Sequence, residues 1–314
     1  GGPVFYRRGY SNMKALGLVE LCYTIANGGM AVITFYLLLL GLLGTSLLAV
    51  FSWLAGWLQT SGAVMLVLLG STIFALSPVM AGFLALLFAM SYGVQGLKKW
   101  GLPPNPTDAH EIIEKAGARD AGQVVANSGP LLAVLVGQRW LVSGQSSLAV
   151  TEASLPFLLA EVAVIAGVAA DTWSSEIGVL SSKAPRSIVS GRKLAPGLSG
   201  GVSLLGTMAG AGAAIIVAGL WWGGNQLFRP EATTSAFFWV PALAGFAATW
   251  IDSLLGGTVQ QKYRCAICGK ITEQRQHHGE LTTKISGLPG FNNDTVNLLT
   301  GLLTLLLAFW LQGL

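Results

Sequence analysis

The chain has 314 residues, 53% of them hydrophobic and 10% charged, with a formal net charge of +4. A typical soluble domain carries about 25% charged residues, so a water-soluble globular enzyme is excluded and an all-α, polytopic transmembrane helix bundle is expected. The basic residues are spread over several loops rather than gathered in one patch, so nucleic acid is not an expected partner.

In chain order, the first apolar run, 16–58, is interrupted at Asn27–Gly28–Gly29 and by Gly41 and Gly44. The second, 62–97, is interrupted near Ser77–Pro78. Each reads as one long tilted span or as two shorter ones. Runs at 121–142, 153–173, 199–222, 236–256 and 294–313 follow, for about seven to nine spans in all. No linker-like segment divides the chain, so 1–314 reads as a single integral membrane domain, with 257–293 as a small insert outside the bilayer.

The N-terminal tail and the loops 98–120, 174–198 and 257–293 hold 16 of the 18 Lys and Arg residues; only Arg139 and Arg229 fall elsewhere. Positive loops face the cytoplasm. The C terminus is therefore expected outside, and the N terminus inside if an even number of spans precedes residue 98. No Arg/Ser-rich transit segment is visible, so the expected location is a bacterial or archaeal cytoplasmic membrane with the active face cytoplasmic.

This orientation brings polar residues to one depth. Asp171 closes its run, Asp252 lies near the end of the next-but-one, and Asp294 opens the last within Asn292–Asn293–Asp294. Arg119, Gln123 and Asn127 occupy the cytoplasmic turn of 121–142. Ionisable groups in spans are costly, so a cluster of them marks a functional site by default, and hard oxygen ligands suit Mg²⁺. The plain alternative is that these acids mark the interface and pair with nearby Lys or Arg. Glu176 reaches the same ligand as Asp171 only if the helix ends or unwinds between them. Glu161 lies about 15 Å deeper than Asp171 at helical rise and reads as a buried contact or as part of a lipid site. A weak echo links two segments: Ala166-Gly-Val-Ala-Ala170 precedes Asp171, and Ala244-Gly-Phe-Ala-Ala248 precedes Asp252.

Between the runs 153–173 and 199–222, Lys183, Arg186, Arg192 and Lys193 precede a stretch containing Gly200, Gly201, Ser203, Gly206 and Thr207 that opens a helix. Glycines let backbone N–H groups approach phosphate, and a helix N-terminus favours an anion. No Walker A motif occurs. The alternative is that these glycines only pack helices closely.

In the insert, Cys265-Ala-Ile-Cys268 is followed by His277 and His278. Two thiolates with one or two imidazoles suit a tetrahedral Zn²⁺ staple; free thiols beside interfacial histidines are the alternative. Cys22 reads as an ordinary core residue.

The blocks Arg119-Asp-Ala-Gly-Gln123-Val-Val-Ala-Asn127, Asp171-Thr-Trp-Ser-Ser-Glu176-Ile-Gly178, Gly200-Gly-Val-Ser203-Leu-Leu-Gly206-Thr207, Asp252-Ser-Leu-Leu-Gly256 and Asn292-Asn-Asp294-Thr-Val-Asn297 resemble, in this order, the integral membrane phytyl-phosphate (prenyl-phosphate) kinase family with its bacterial and archaeal relatives. The similarity covers roughly 63–314 and extends distantly to CTP-dependent polyprenol kinases. It implies a nucleotide-dependent kinase, with CTP the expected donor, that converts a prenyl monophosphate to the diphosphate. In that scheme Asp171, Asp252 and Asp294 hold Mg²⁺, with Glu176 beside them, and Arg119 clamps the acceptor phosphate. Lys183, Arg186, Arg192, Lys193, Gly200, Gly201, Ser203, Thr207 and Asn293 hold the nucleotide, and Gln123, Asn127 and Glu161 the lipid. A homodimer is compatible with this scheme. His278 stands where related prokaryotic sequences are expected to carry a further Cys. The same parts suit a cytidylyltransferase acting on a lipid phosphate; a lipid-phosphate transporter is the non-enzymatic alternative.

Overall fold

A computed structural model describes residues 32–99, 112, 117–142 and 147–313. Eight helices run through the described residues: α1 Val32–Leu54, α2 Thr60–Leu76, α3 Pro78–Lys99, α4 Ala121–Val142, α5 Ser147–Gly178, α6 Leu204–Phe228, α7 Ala236–Thr258 and α8 Asn293–Leu311. Five of them, α1, α6, α7, α8 and the Ser154–Gly178 part of α5, are long and apolar enough to cross a membrane. The run 62–97 is two helices. Pro78 disfavours a helical conformation at the residue before it, and Ser77 is extended at φ −153° and ψ 94°. The sequence around Asn27–Gly28–Gly29, and Cys22 with it, lies outside the described residues.

The helices alternate in direction. The C-terminal ends of α1, α3, α5 and α7 therefore share one end of the bundle with the N-terminal ends of α2, α4, α6 and α8, and most of the basic loops join helices at that end. At its centre α5 packs against α3, α4, α6, α7 and α8. Residues 159–166 of α5 are fully buried, five of the eight being Ala or Val. Lipid tails are as apolar as Leu, so helices in a bilayer gain from close small-residue packing rather than from hiding apolar surface. Accordingly Leu204, Leu227 and Phe228 face outward.

The loops at the basic end add short strands. β1 Arg186–Ser187 pairs with β2 Gly201–Val202. In the insert, β3 Lys262–Arg264 lies between β4 Ile271–Thr272 and β7 Thr283–Ser286, and β5 Gln276–His277 pairs with β6 Glu280–Leu281.

Candidate functional site

The two copies of the Ala-Gly echo pack against each other. A Cβ at Gly245 would come 2.6 Å from Ala166 Cβ, and one at Gly167 would come 3.0 Å from Ala248 Cβ. Helices α5 and α7 run parallel through this contact, which brings the Asp171 and Asp252 carboxyls within direct interaction reach of each other. Thr300 Oγ1 of α8 donates to Asp252 Oδ1 at 3.5 Å. Two carboxyls this close need a shared proton or a cation to offset their repulsion, so the pair fits a Mg²⁺ site. Asn127, Asn297, Thr300 and Thr304 join Asp171 around a cavity of about 10 Å³, room for about one water.

Asp294 occupies a separate step. It lies in the first turn of α8, whose N-cap Asn292 accepts the Thr295 N–H at 3.0 Å. Thr300 is about 9 Å further along that helix. A Cβ at Gly122 would overlap Asp294 Oδ2, so the N-terminal turns of α4 and α8 pack side by side at that carboxylate. Acids at helix N-termini are favoured by the dipole. Gly122→Ala is expected to push Asp294 aside and cost about 1–3 kcal/mol of stability by overpacking, read as a lower melting temperature in detergent. An unchanged melting temperature would show that the contact yields freely.

Arg119 lies two residues before α4. Its N–H donates to Trp57 O and its carbonyl accepts from the Gln59 N–H, both at 3.0 Å, so the α1–α2 turn fixes it. The guanidinium lies 5.8 Å from the ring centres of Phe88 and Tyr92. Tyr92 stacks on Trp57 at 4.1 Å and donates to Trp57 O at 2.8 Å. Among the described residues the guanidinium makes these aromatic contacts and no hydrogen bond, while lying within electrostatic reach of Asp171. Such an aromatic frame holds a cation by its faces and leaves the in-plane donors for a ligand. Asp120 and Gln123 form a capping box: Asp120 Oδ1 accepts the Gln123 N–H at 3.0 Å, and Gln123 Oε1 accepts the Asp120 N–H at 3.1 Å. Gln123 thus has a structural task in addition to lining the cavity described next.

From Arg119, Gln123 and Asn127 a cavity of about 90 Å³ runs down between α1, α2, α3 and α5, with walls that include Leu48, Ile73, Ala81 and Leu84. One end is cationic and amidic, and the rest is apolar apart from Thr45 and Ser128. Glu161 lies apart from both cavities, 1% exposed within α5, and its Oε1 has no hydrogen-bond partner among the described residues. Helix α5 continues to Gly178 without unwinding, so Asp171 and Glu176 stand about 140° apart around it, with Glu176 within electrostatic reach of Tyr92.

The profile of the family described as integral membrane protein DUF92 matches residues 43–305, which take in every part of this site. The chain belongs to this family. It is 32% identical to Protein PGR of Arabidopsis thaliana over 202 residues, 61% of this chain and 68% of that one. It is also 31% identical to the uncharacterized membrane protein MJ0933 of Methanocaldococcus jannaschii over 105 residues, 33% of this chain and 41% of that one. No solved structure matches the chain.

In this family member the glycine-rich loop is held from below. Gly200, at φ +85°, lies against Gly257 of α7 with no room for a side chain, and Gly206 packs on Gly178 and the Ser174 carbonyl. Ser203 caps α6, its Oγ accepting the Gly206 N–H at 3.1 Å, and Thr207 Oγ1 donates to Ser203 O at 3.0 Å. Lys183, Arg186, Arg192 and Lys193 are exposed around this turn, with Arg186 donating to Gly191 O at 3.0 Å. Gly201 pairs with Ser187 across β1–β2. Asn293 opens α8 beside Asp294.

The insert grips this loop at Ser199. Glu273, 3% exposed, accepts the Ser199 N–H at 2.7 Å and the Gln260 amide at 2.9 Å, while Lys262 Nζ donates to Ser199 O at 2.9 Å. Burial pushes the Lys262 ammonium below its ordinary pKa, opposed by the charge of Glu273. The Glu273 backbone N–H and Thr272 Oγ1 also donate to the carbonyl of Ile112, at 2.8 and 3.0 Å. Neither Glu273 nor Lys262 stands in a sequence motif, so residue order alone does not mark these contacts.

Further out, Cys265 Sγ, Cys268 Sγ and a His277 nitrogen lie within 4.8 Å of one another, with Cys268 Sγ 3.6 Å from His277 Nδ1. Among the described residues this is the one group of three metal-type ligands so drawn together; the three aspartates are not. Gly269, at φ +71°, closes the knuckle by donating to Cys265 O at 3.0 Å. The Cys268 N–H, and after it the His277 ring, draws the Cys265 thiol down to about 7 against the effect of burial. Two sulfurs and an imidazole fit Zn²⁺. His278 stands outside the group, exposed at φ +56° with its ring edge-on to His277. Purified protein is therefore expected to hold about one zinc per chain, which Cys265→Ser loses and His278→Ala keeps; metal analysis decides. Metal ligation needs thiolate, so zinc retention against a chelator should fall as the pH drops below about 7. Retention that is flat from pH 8 to 5 would count against thiolate ligation.

Proposed function

We propose that the chain is a nucleotide-dependent kinase, with CTP the preferred donor, that phosphorylates a prenyl monophosphate such as phytyl or geranylgeranyl phosphate to the diphosphate at the cytoplasmic face of the membrane. The observation that carries this reading is Arg119: a framed guanidinium with unspent donors, at the polar mouth of an apolar cavity and beside the Asp171–Asp252 pair. Planar donors of this kind suit phosphate.

Phosphoryl transfer is chiefly positioning and charge stabilisation. Arg119 holds the acceptor phosphate, one of whose oxygens attacks the γ-phosphorus while the bond from that phosphorus to the β–γ bridging oxygen breaks and CDP leaves. The acceptor oxygen is already anionic, so no general base is needed. The Asp171–Asp252 pair would hold one Mg²⁺, and Asp294, a step away, would hold a second ion or a water of the first, so that bound metal would neutralise charge on the phosphates. Lys183, Arg186, Arg192 and Lys193, with Ser203, Thr207 and Asn293, line the side from which the nucleotide approaches. Because Asp171, Asp252 and Asp294 stand at one end of the bundle, a transporter, whose sites lie near the midplane, is disfavoured; only the deeper Glu161 favours it.

The test is purified protein with geranylgeranyl phosphate, Mg²⁺ and γ-labelled CTP. Label appearing in lipid diphosphate supports the reading. Pyrophosphate release with a CDP-lipid shows a cytidylyltransferase, and no product with any nucleoside triphosphate ends both enzyme readings. Arg119→Ala is expected to lower kcat/KM for the lipid by about 10²–10³-fold, since a charged bidentate contact is lost, with Arg119→Lys recovering part of it.

A further inference from the structure

We propose that the cavity below Arg119 seats only the isoprene unit next to the phosphate, and that the remainder of the prenyl chain lies in the bilayer beside α1. This inference rests on the kinase reading and adds which part of the lipid the protein reads.

Volume sets the limit. A cavity of roughly 150 Å³ holds one benzene; this one is about 90 Å³, so it takes about one five-carbon unit. A geranylgeranyl chain has four such units, and three must lie elsewhere. The deep end is closed: a Cβ at Gly70 would come 2.8 Å from Thr45 Cγ2, and one at Gly41 would come 3.0 Å from Ser71 O, so α1 and α2 touch there. Ile73 and Ala81 complete that floor. The way out is sideways. Helix α1 contributes Thr45 and Leu48 to the wall, yet only 11% of its apolar stretch is buried, so hydrocarbon leaving the cavity alongside it meets lipid at once.

The selectivity follows from the two environments. Distal units exchange lipid for lipid and contribute almost nothing to recognition, since tails are as apolar as Leu. The first unit fits a shaped pocket, where one methyl or methylene is worth about 10–200-fold. The protein should therefore tolerate chain length and select for the branch near the phosphate.

The experiment uses the full chain in nanodiscs with prenyl phosphates at equal mole fraction in the lipid. Chains of two, three and four isoprene units are expected to agree in KM within about threefold, with an unbranched alkyl phosphate at least about tenfold poorer. Ala81→Leu, which fills the floor, should weaken all prenyl lengths by the same factor. Photolabelling reports without turnover. A photoreactive group on the first unit should mark α2 or α3 near Ile73, Ala81 or Leu84, and one on the terminal unit should mark bilayer lipid. Turnover together with terminal-unit labelling of the cavity, with first-unit labelling elsewhere, or with KM changing about tenfold or more with length, overturns this inference alone. If neither labelling of the cavity nor turnover occurs, the kinase reading fails with it.

Discussion

Asp252→Asn is expected to lower turnover by about 10³-fold while leaving the bundle folded. Asparagine keeps the shape of the side chain. It still accepts from Thr300 Oγ1, and its amide can donate to the carboxylate of Asp171, so the α5–α7–α8 contact survives. What disappears is one negative charge from a site that has to hold a cation against transferring phosphate. Such charge stabilisation is worth several kcal/mol, and each 1.36 kcal/mol is about tenfold in rate. Two measurements separate the charge from the packing. The melting temperature of Asp252→Asn should match the parent, and Thr300→Val, which removes the hydrogen bond and keeps the charge, should cost less than about tenfold. Turnover of Asp252→Asn within tenfold of the parent would remove Asp252 from the mechanism.

Glu273→Ala should be the most damaging change for the extramembrane part of the molecule. It strips the Ser199 N–H and the Gln260 amide of their acceptor and leaves the half-buried Lys262 ammonium without its counter-charge. Removing one partner of a buried charged network costs about 3–5 kcal/mol. The loss falls on the insert and the glycine-rich turn, since the helices of the bundle make none of these bonds. Amide exchange at 197–203 and proteolysis within 257–293 are expected to rise, with helix content unchanged. Glu273→Gln, which keeps an acceptor of the same reach, should lie between the two. Exchange at 197–203 equal to that of the parent would show that Ser199 is held by something else.

These two sites differ in how far they could be read from residues alone. Hydropathy marked the helices, because a bilayer makes each span satisfy its own backbone and show apolar side chains for about 20 residues. Loop charge grouped the helix ends, and the short Ala-Gly repeat pointed to α5 and α7. In the structure that repeat is the surface on which the two helices touch. The Cys-x-x-Cys knuckle was visible since its ligands are close in sequence, and His277 joins it through the β4–β6 turns. The strands of the insert were not foreseen, being two to four residues long with no sustained alternation.

Composition and the order of apolar runs were enough to determine a multi-pass helical membrane protein with Asp171, Asp252 and Asp294 at a common end, because span length and loop charge are properties of neighbouring residues. Only the tertiary structure decided that Phe88 and Tyr92 frame Arg119, that Glu273 and Lys262 clamp Ser199, that Asp171 and Glu176 sit on different sides of an unbroken helix, and that His278 stands outside the Cys/His group. Each of these depends on which distant segments meet and at what rotation. A helix rotates a side chain by about 100° per residue, so a place in the chain does not say which neighbour a carboxylate or a guanidinium will face.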